Sequence, residues 1–330
     1  MTDTFPAYLV EKTDDGQALS RTRIGLDDLM EGDVTVSVEW STLNYKDGLA
    51  LTGASPVVRK FPLVPGIDFA GTVESSDDPR FSPGDKVVLN GWGVGEVHSG
   101  GYAGKARVKA DWLVPLPEGL STRQAMAVGT AGYTAMLCVM ALQDHGIKPQ
   151  DGDILVTGAA GGVGSIATAI LAKLGYRVIA VTGRPEQKEF LLSLGAADIA
   201  ARSDFADKAR PLGRELWAGA VDVAGGNTLA NVLSQVVRGG AVAACGLAES
   251  MSLPTSVAPF ILRGVALYGI DSVMAPLEKR QRAWDGIVQY LDPQLLESLT
   301  SEASFDDLPQ LGEQILKGQV RGRLVVQIPQ

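Results

Sequence analysis

Two residue types are scarce in this 330-residue chain, and their scarcity narrows its chemistry. There are two cysteines, Cys138 and Cys245, and two histidines, His98 and His145. The cysteines sit in the apolar runs AMLCVMAL and AVAACGLA, the setting of buried, reduced thiols. A metal centre needs several convergent Cys, His or carboxylate ligands. Four scattered residues do not meet that need, so no metal is expected. His145, in LQDHGIK at a helix end, reads as a surface residue, and His98 lies in a glycine-rich loop. Basic excess is lacking as well. The formal net charge is −9, which gives no overall pull toward nucleic acid or an anionic membrane. The start, MTDTFPAYLVEKTDDG, has no basic segment followed by an apolar one, so no signal peptide is expected. No apolar run reads as approaching the roughly 20 residues of a membrane helix. The expectation is a cytoplasmic protein with no membrane and no nucleic-acid partner.

What is present fits a globular chain: 45% apolar and 20% charged residues. The length suits two domains. The first third is strand-like. VTVSVEW (34–40) alternates with period two, and DFAGTVESS (68–76), DKVVLNGW (85–92) and GYAGKARVKA (101–110) follow between Pro/Gly turns such as SPGD. This predicts a small, mostly antiparallel barrel or sandwich. From Ser121, a plausible helix N-cap, the pattern changes to alternating strands and helices. DILVTG, YRVIAVT, AVDVAG and GAVAACG read as strands, with GVGSIATAILAKLG, PEQKEFLLSLGA and TLANVLSQVV as helices between them. Such units call for a parallel sheet covered by helices on both faces. Near residue 290 the alternation stops. The tail GQVRGRLVVQI reads as a strand able to return to the first domain.

DILVTG runs into GAAGGVG and then directly into a helix. Aligned to G-x-G-x-x-G, Ala159 replaces the first glycine, Ala160 follows, and Gly161 and Gly164 keep the other two. Gly161, Gly162 and Val163 let backbone N–H groups and a helix N-terminus face a pyrophosphate. Gly164 allows the helix to pack close to the sheet. The next strand ends Thr182-Gly183-Arg184. A carboxylate there would grip an adenosine ribose diol and repel a 2′-phosphate. Arg184 instead offers a guanidinium that binds a phosphate bidentately. Lys188 lies one turn on, and Arg202 is expected to cap the same pocket. The cofactor expected is NADPH.

These residues, in this order, resemble the medium-chain dehydrogenase/reductase superfamily over essentially the whole chain. The runs LNYKDGLALTG, PGIDFAGTV, NGWGVGE, VTGAAGGVGS, VTGR, PFILRGV, YGIDSV and GQVRGR are similar to its zinc-free, quinone-oxidoreductase-like branch, in the NADPH-dependent acrylyl-CoA reductase group. Zinc-dependent members carry a GHE motif and a catalytic cysteine; this chain has Gly66-Ile67-Asp68 and lacks the clustered cysteines of a zinc lobe. The resemblance implies an α/β fold: a Rossmann doubly wound parallel sheet plus a GroES-like, mostly antiparallel β-barrel domain. The GroES-like domain is expected over 1–122, completed by 294–330, and the Rossmann domain over 123–293.

The resemblance also implies a chemistry. Hydride passes to the β-carbon of an α,β-unsaturated thioester, charge develops on the thioester oxygen, and the α-carbon is protonated last. Asn44 and Lys46 are expected at the nicotinamide side, and Tyr45 as donor to the enolate or source of the proton. Asn90 and Trp92 are expected to line the acyl pocket, with Trp92 as a flat wall. Asp47 reads as a turn residue if this run has no site role. Gly246, Leu247, Phe260, Leu262 and Ser272 are expected along the cofactor. Arg321 and Arg323, one residue apart on a strand, share a face, and Arg323 is expected to reach a cofactor phosphate. Arg59 and Lys60, or Lys279, Arg280 and Arg282, are the basic residues available to a CoA moiety, although each group reads as a solvated cluster. VALYGIDSV is expected to pair across a twofold axis, making a homodimer. A free quinone or enone as substrate, or NADPH binding without turnover, remain as alternatives.

Overall fold

The computed structural model describes residues 4–330. The chain opens with an antiparallel hairpin, β1 (Thr4–Thr13) and β2 (Gly16–Gly25). There follow β3 (Val34–Thr42), α1 (Tyr45–Thr52), β4 (Asp68–Ser76), β5 (Lys86–Asn90), β6 (Lys105–Val108), β7 (Val114–Pro115) and the long α2 (Thr122–His145). The alternating region comprises β8 (Asp153–Val156), α3 (Gly162–Lys173), β9 (Val178–Thr182), α4 (Lys188–Ser193), β10 (Asp198–Ala201), β11 (Trp217–Asp222), α5 (Gly226–Gln235), β12 (Val236–Ala244), α6 (Ala258–Arg263) and β13 (Ala266–Gly269). α7 (Leu277–Tyr290), α8 (Pro293–Ser298), β14 (Thr300–Ala303), α9 (Leu308–Leu316) and β15 (Arg323–Gln327) complete it.

Two compact units emerge. One holds the chain up to Thr130, Ser272–Arg282 and Leu296–Gln330; the other holds Ala131–Asp271 and Ala283–Leu295. The expected boundary at 122/123 thus lies inside α2, and residues 272–282 belong with the first unit.

In the first unit a sheet runs β14-β15-β3-β4-β5-β7, with β6 also paired to β3. The period-two pattern has its expected consequence: Val34, Val36 and Val38 are buried while Thr35 and Ser37 between them are not. The tail does return, since β15 pairs antiparallel with β3 through Val325↔Thr42 and Val326↔Ser41. Ser121 caps α2 reciprocally: Gln124 N donates to Ser121 Oγ at 3.1 Å, and Ser121 N to Gln124 Oε1 at 3.0 Å. One expectation fails here. α2 is long and apolar enough to cross a membrane, but its most apolar stretch is 94% buried within the protein. It is a core helix, bent at Gly129, whose φ of 52° is non-helical.

In the second unit six parallel strands run β10-β9-β8-β11-β12-β13. Counted from β8 this is the order 3-2-1-4-5-6, with the reversal between β8 and β11. Strands such as Val178–Thr182 are buried throughout, as a sheet covered on both faces requires. His145 is anchored in this unit, with Nδ1 2.9 Å from Tyr268 Oη and Nε2 2.9 Å from Gly239 O.

Candidate active site

The second unit carries the glycine loop at the reversal point. After β8 the chain turns through Gly158 at φ 57°, and Ala159 N donates to Val181 O at 3.1 Å. Gly161 N donates to Gly158 O at 2.9 Å, and α3 begins at Gly162. Gly164 has a steric reason. A Cβ there lies 2.4 Å from Gly158 O and 2.6 Å from Ala159 Cα, so any side chain pushes the helix off the loop. Ala160 is buried, whereas Gly161, Gly162 and Val163 remain partly open at the helix N-terminus.

The ends of β9 and β10 bring Arg202 against Gly183, next to Arg184 in the chain. Ala201 is in register with Thr182, so Arg202 follows one strand as Gly183 follows the other. A Cβ on Gly183 meets the Arg202 guanidinium at 2.8 Å. Glycine therefore lets that cation lie against the strand end. Thr182 Oγ1 accepts from Arg184 N at 3.1 Å, which turns the chain there. Arg184 is half-buried, and Arg202 and Lys188 are exposed.

A carboxylate that sequence reasoning missed ties the neighbouring strands. Asp222, fully buried, accepts from Thr157 Oγ1 at 2.8 Å and from Gly225 N at 2.8 Å, and Val223 N donates to Thr157 Oγ1 at 3.0 Å. Burial pushes its carboxyl above the usual range. Gly246 approaches Val223 O so closely that a Cβ is 2.3 Å away. Leu247 and Leu262 are exposed, and Phe260 is half-buried. Cys138 is buried; its hydrogen bond with Cys245 and its burial both raise the thiol well above its ordinary value, so it is held protonated.

The first unit holds a buried polar cluster around Asn44. Asn44 caps α1: its N–H donates to Asp47 Oδ2 at 2.8 Å, and its Nδ2 donates to Asp47 Oδ2 at 3.0 Å and to Asp68 Oδ2 at 3.1 Å. Ile67 N donates to Asp47 Oδ1 at 2.9 Å, and Thr130 N to Asp68 Oδ2 at 2.7 Å. Arg323, 2% exposed, donates to Ala127 O at 2.8 Å and Thr42 Oγ1 at 2.7 Å. Tyr102 Oη donates to Thr42 O at 3.0 Å. Burial and the nearby Asp68 carboxylate push Asp47 up to about 7, against the N–H bonds of Asn44 and Ile67. Burial raises Asp68 too, opposed chiefly by the Thr130 N–H and the Arg323 charge. Burial lowers Arg323. Two carboxylates and one guanidinium leave this interior one charge negative unless a proton is kept. Among the described residues Asp68 Oδ1 and Asn44 Oδ1 have no hydrogen-bond partner.

Several expectations change on this ground. Asp47 is a fully buried member of the cluster, not a turn residue. Arg323 is spent on Thr42, Ala127 and the two aspartates rather than presented to a phosphate. Arg321 does not share its face, because Gly322 at φ 62° precedes the strand and breaks the alternation; Arg321 is exposed. Arg280 is no solvated charge, being 1% exposed. His98 is buried with Nδ1 3.2 Å from Ser99 O, Nε2 3.1 Å from Glu31 O and its ring edge-on to Trp112, which is a packing role.

The remaining residues cluster around this core. Asn90 stands opposite Asp68 across β4 and β5, and its Nδ2 lies 3.3 Å from Thr130 Oγ1. Tyr45, the first residue of α1, is 44% exposed. Lys46 Nζ pairs with Glu96 Oε1 at 2.9 Å, and Arg59 holds the other Glu96 oxygen at 3.0 Å. Trp92 N donates to Val273 O at 2.9 Å, which brings Ser272 and Val273 beside the Asn90–Gly93 turn. A Cys/His/carboxylate group able to hold a metal ion is absent among the described residues. Ile67 offers the cluster only its N–H.

A GroES-like β-unit with a buried polar strand end, and a 3-2-1-4-5-6 sheet with a glycine loop, define a two-domain dinucleotide-dependent oxidoreductase. The chain belongs to the medium-chain dehydrogenase/reductase superfamily: residues 30–118 match the alcohol dehydrogenase GroES-like domain and residues 162–289 the zinc-binding dehydrogenase family. It is 59% identical over 327 residues to the acrylyl-CoA reductase AcuI of Ruegeria pomeroyi, covering 98% of this chain and 99% of that one. It is 43% identical to the putative quinone oxidoreductase YhfP of Bacillus subtilis over 99% of this chain and all of the relative. The solved structure of that protein with NAD bound has a TM-score of 0.95 to this one, at 42% identity and over 99% and 100% of the two chains. The yhdH oxidoreductase of Salmonella enterica in complex with NADP reaches a TM-score of 0.96, at 54% identity and over 98% and 99% of the chains.

Proposed function

We propose that this chain is an NADPH-dependent reductase of the α,β-double bond of acrylyl-CoA, or of a similarly short enoyl-CoA, giving the saturated thioester. The observation that carries the reading is its end-to-end identity of 59% with an acrylyl-CoA reductase. The cofactor fits the residues present, because the bare Gly183 backbone seats the Arg202 guanidinium at the strand end that Arg184 follows, where a 2′-phosphate is to be neutralised. When bound, the nicotinamide supplies the hydride. Arg184 and Arg202 hold the ribose phosphate, and the open backbone of Gly161–Val163 at the start of α3 faces the pyrophosphate. Gly246, Leu247, Phe260 and Leu262 are the residues we assign to the nicotinamide end, with Ser272 and with Lys46, which is paired with Glu96. Tyr45, 44% exposed, donates a hydrogen bond to the developing enolate or supplies the α-proton. Asn90 and Trp92 bound the acyl group. Asp47 and Asp68 fix Asn44 by accepting from its Nδ2.

A free quinone or enone is the second reading, favoured by the 43% identity to YhfP. A cytoplasmic homodimer is the setting we propose, paired through the edge strand β13. NADPH and NADH oxidation rates with acrylyl-CoA, crotonyl-CoA and a benzoquinone test the assignment. Acrylyl-CoA with NADPH is expected to be fastest. A benzoquinone rate far above both thioesters supports the second reading, and silence with every acceptor leaves a nucleotide-binding protein without turnover.

A further inference from the structure

The Asn90–Gly93 turn is held in an unfavourable conformation. Trp92 is the one non-glycine residue with positive φ among the described residues, at 57°, between Gly91 at 77° and Gly93 at 76°. Its indole N–H is buried and lacks a hydrogen-bond partner among the described residues. Left-handed backbone at a bulky residue and a buried unmade donor each carry a cost, and such costs persist only where surrounding structure enforces them.

Arg280, at the start of α7, is what enforces them. Its guanidinium is 1% exposed. NH1 donates to Asn90 O at 2.5 Å, and Nε to Ala275 O at 2.8 Å. NH2 donates to Val273 O at 2.7 Å and lies 3.3 Å from Ser272 O. Its Cζ lies 4.4 Å from the centre of the Trp92 ring, over the face. One planar cation thus grips the carbonyl before the turn, three carbonyls of the 272–275 segment, and the indole between them. Only a guanidinium has the forked donors and flat stacking face to do all three. The backbones meet tightly as well, since a Cβ on Gly91 lies 2.7 Å from Val273 O.

We propose that Arg280 is a positioning residue for thioester reduction, which locks Trp92 against the 272–275 segment and so fixes the wall that limits acyl size. This rests on the reading of the chain as an enoyl thioester reductase with Trp92 at the acyl group.

The test uses the intact enzyme with Arg280→Lys, Trp92→Phe and the double variant. Arg280→Lys keeps the charge but not the fork. It is expected to change the ratio of kcat/KM for acrylyl-CoA over crotonyl-CoA by about tenfold, the scale of one methylene in a fitted pocket. The NADPH KM is expected to stay within about threefold, and the double variant to resemble Trp92→Phe alone rather than the product of the two effects. An unchanged acyl preference, or multiplicative effects, overturns the proposal. A second readout needs no turnover. The fluorescence contributed by Trp92, taken as wild type minus Trp92→Phe, is expected to shift or brighten when the cation is moved by Arg280→Lys. Identical Trp92 emission overturns the clamp. A wild-type enzyme silent with thioesters overturns the functional reading instead and leaves that optical test standing. Should Arg280→Lys not fold, Gly91→Ala displaces the turn with Arg280 intact; it must alter acyl preference, and an unaltered preference sinks the idea.

Discussion

Gly183 has no side chain, and the Arg202 guanidinium occupies the space one would take. Arg184 was legible in the sequence because it follows the second strand of a glycine-loop unit, and Arg202 because it follows the third. The approach of Arg202 to Gly183, the residue before Arg184, needed only the parallel register of β9 and β10. A charge-assisted bond contributes about 1.5–3 kcal/mol. Arg184→Ala is therefore expected to raise the NADPH KM about ten- to a hundredfold, with kcat at saturation and the NADH KM little changed, as steady-state kinetics will show. Tyr45 offers a second residue-scale test. As the proton source, Tyr45→Phe is expected to lower kcat about 10²–10⁴-fold with an unaltered NADPH dissociation constant; unchanged turnover removes Tyr45 from that role. Asp47 and Asp68 were far less legible. Nothing in linear spacing says that two acids 21 positions apart share one amide nitrogen with Asn44. The one available signal was the helix-cap spacing of Asn44 and Asp47.

Elements with a strong period were readable almost to their ends. DFAGTVESS is β4 residue for residue, and the helix after the glycine loop starts at Gly162. Short elements held by tertiary contact were not. α1 has eight residues, too few to stand alone, and is fixed by packing. A Cβ on its Gly48 lies 2.5 Å from Ile315 Cγ2 and 2.9 Å from Gly312 O, both on α9. The bend in α2 was hidden for the same reason. Gly129 reads as one more small residue in an apolar helix, yet its φ is 52°, and a Cβ there lies 2.6 Å from Arg323 NH2, 2.7 Å from Thr42 Cγ2 and 3.1 Å from Asp68 Oδ2. Bending the helix brings Thr130 N onto Asp68. Gly129→Ala is expected to destabilise the protein by about 1–3 kcal/mol, the usual cost of overpacking a filled interior. A denaturant midpoint equal to that of the wild type contradicts this account of the bend.

At the scale of the whole molecule, the broad plan was written in the chain: strands first, alternating units next, and a last strand that returns. What the sequence could not display is that this return places Arg323 on Thr42, 281 residues away, and completes a buried charge balance. Asp47, Asp68 and Arg323 sum to zero only with one proton bound, and Tyr102, the other titratable neighbour, stays neutral because burial raises it well above its usual value. The sign of the resulting pH dependence follows from linkage. Asp47 is raised from an ordinary 3.8 to about 7, so between these values the folded state holds a proton that the unfolded state has lost. Stability from this source is complete below the unfolded value, falls as pH rises toward 7 by at most about 1.4 kcal/mol per unit, and levels off above it. Carboxyls lowered in the fold, Glu39 by its Lys86, Thr72 and Thr122 hydrogen bonds, act oppositely at the acid end. The Tm is thus expected to decline from pH 5.5 to 7.5, measured by scanning fluorimetry at fixed ionic strength. Asp68→Asn mimics the protonated pair. Its amide oxygen can still accept from Thr130 and Asn44, and Asp47 with Arg323 is already neutral without a proton. The variant is expected to fold and to show a flatter Tm profile over that range. A wild-type Tm that rises from pH 5.5 to 7.5, or an Asp68→Asn profile as steep as the wild type, would mean that this buried pair does not keep its proton.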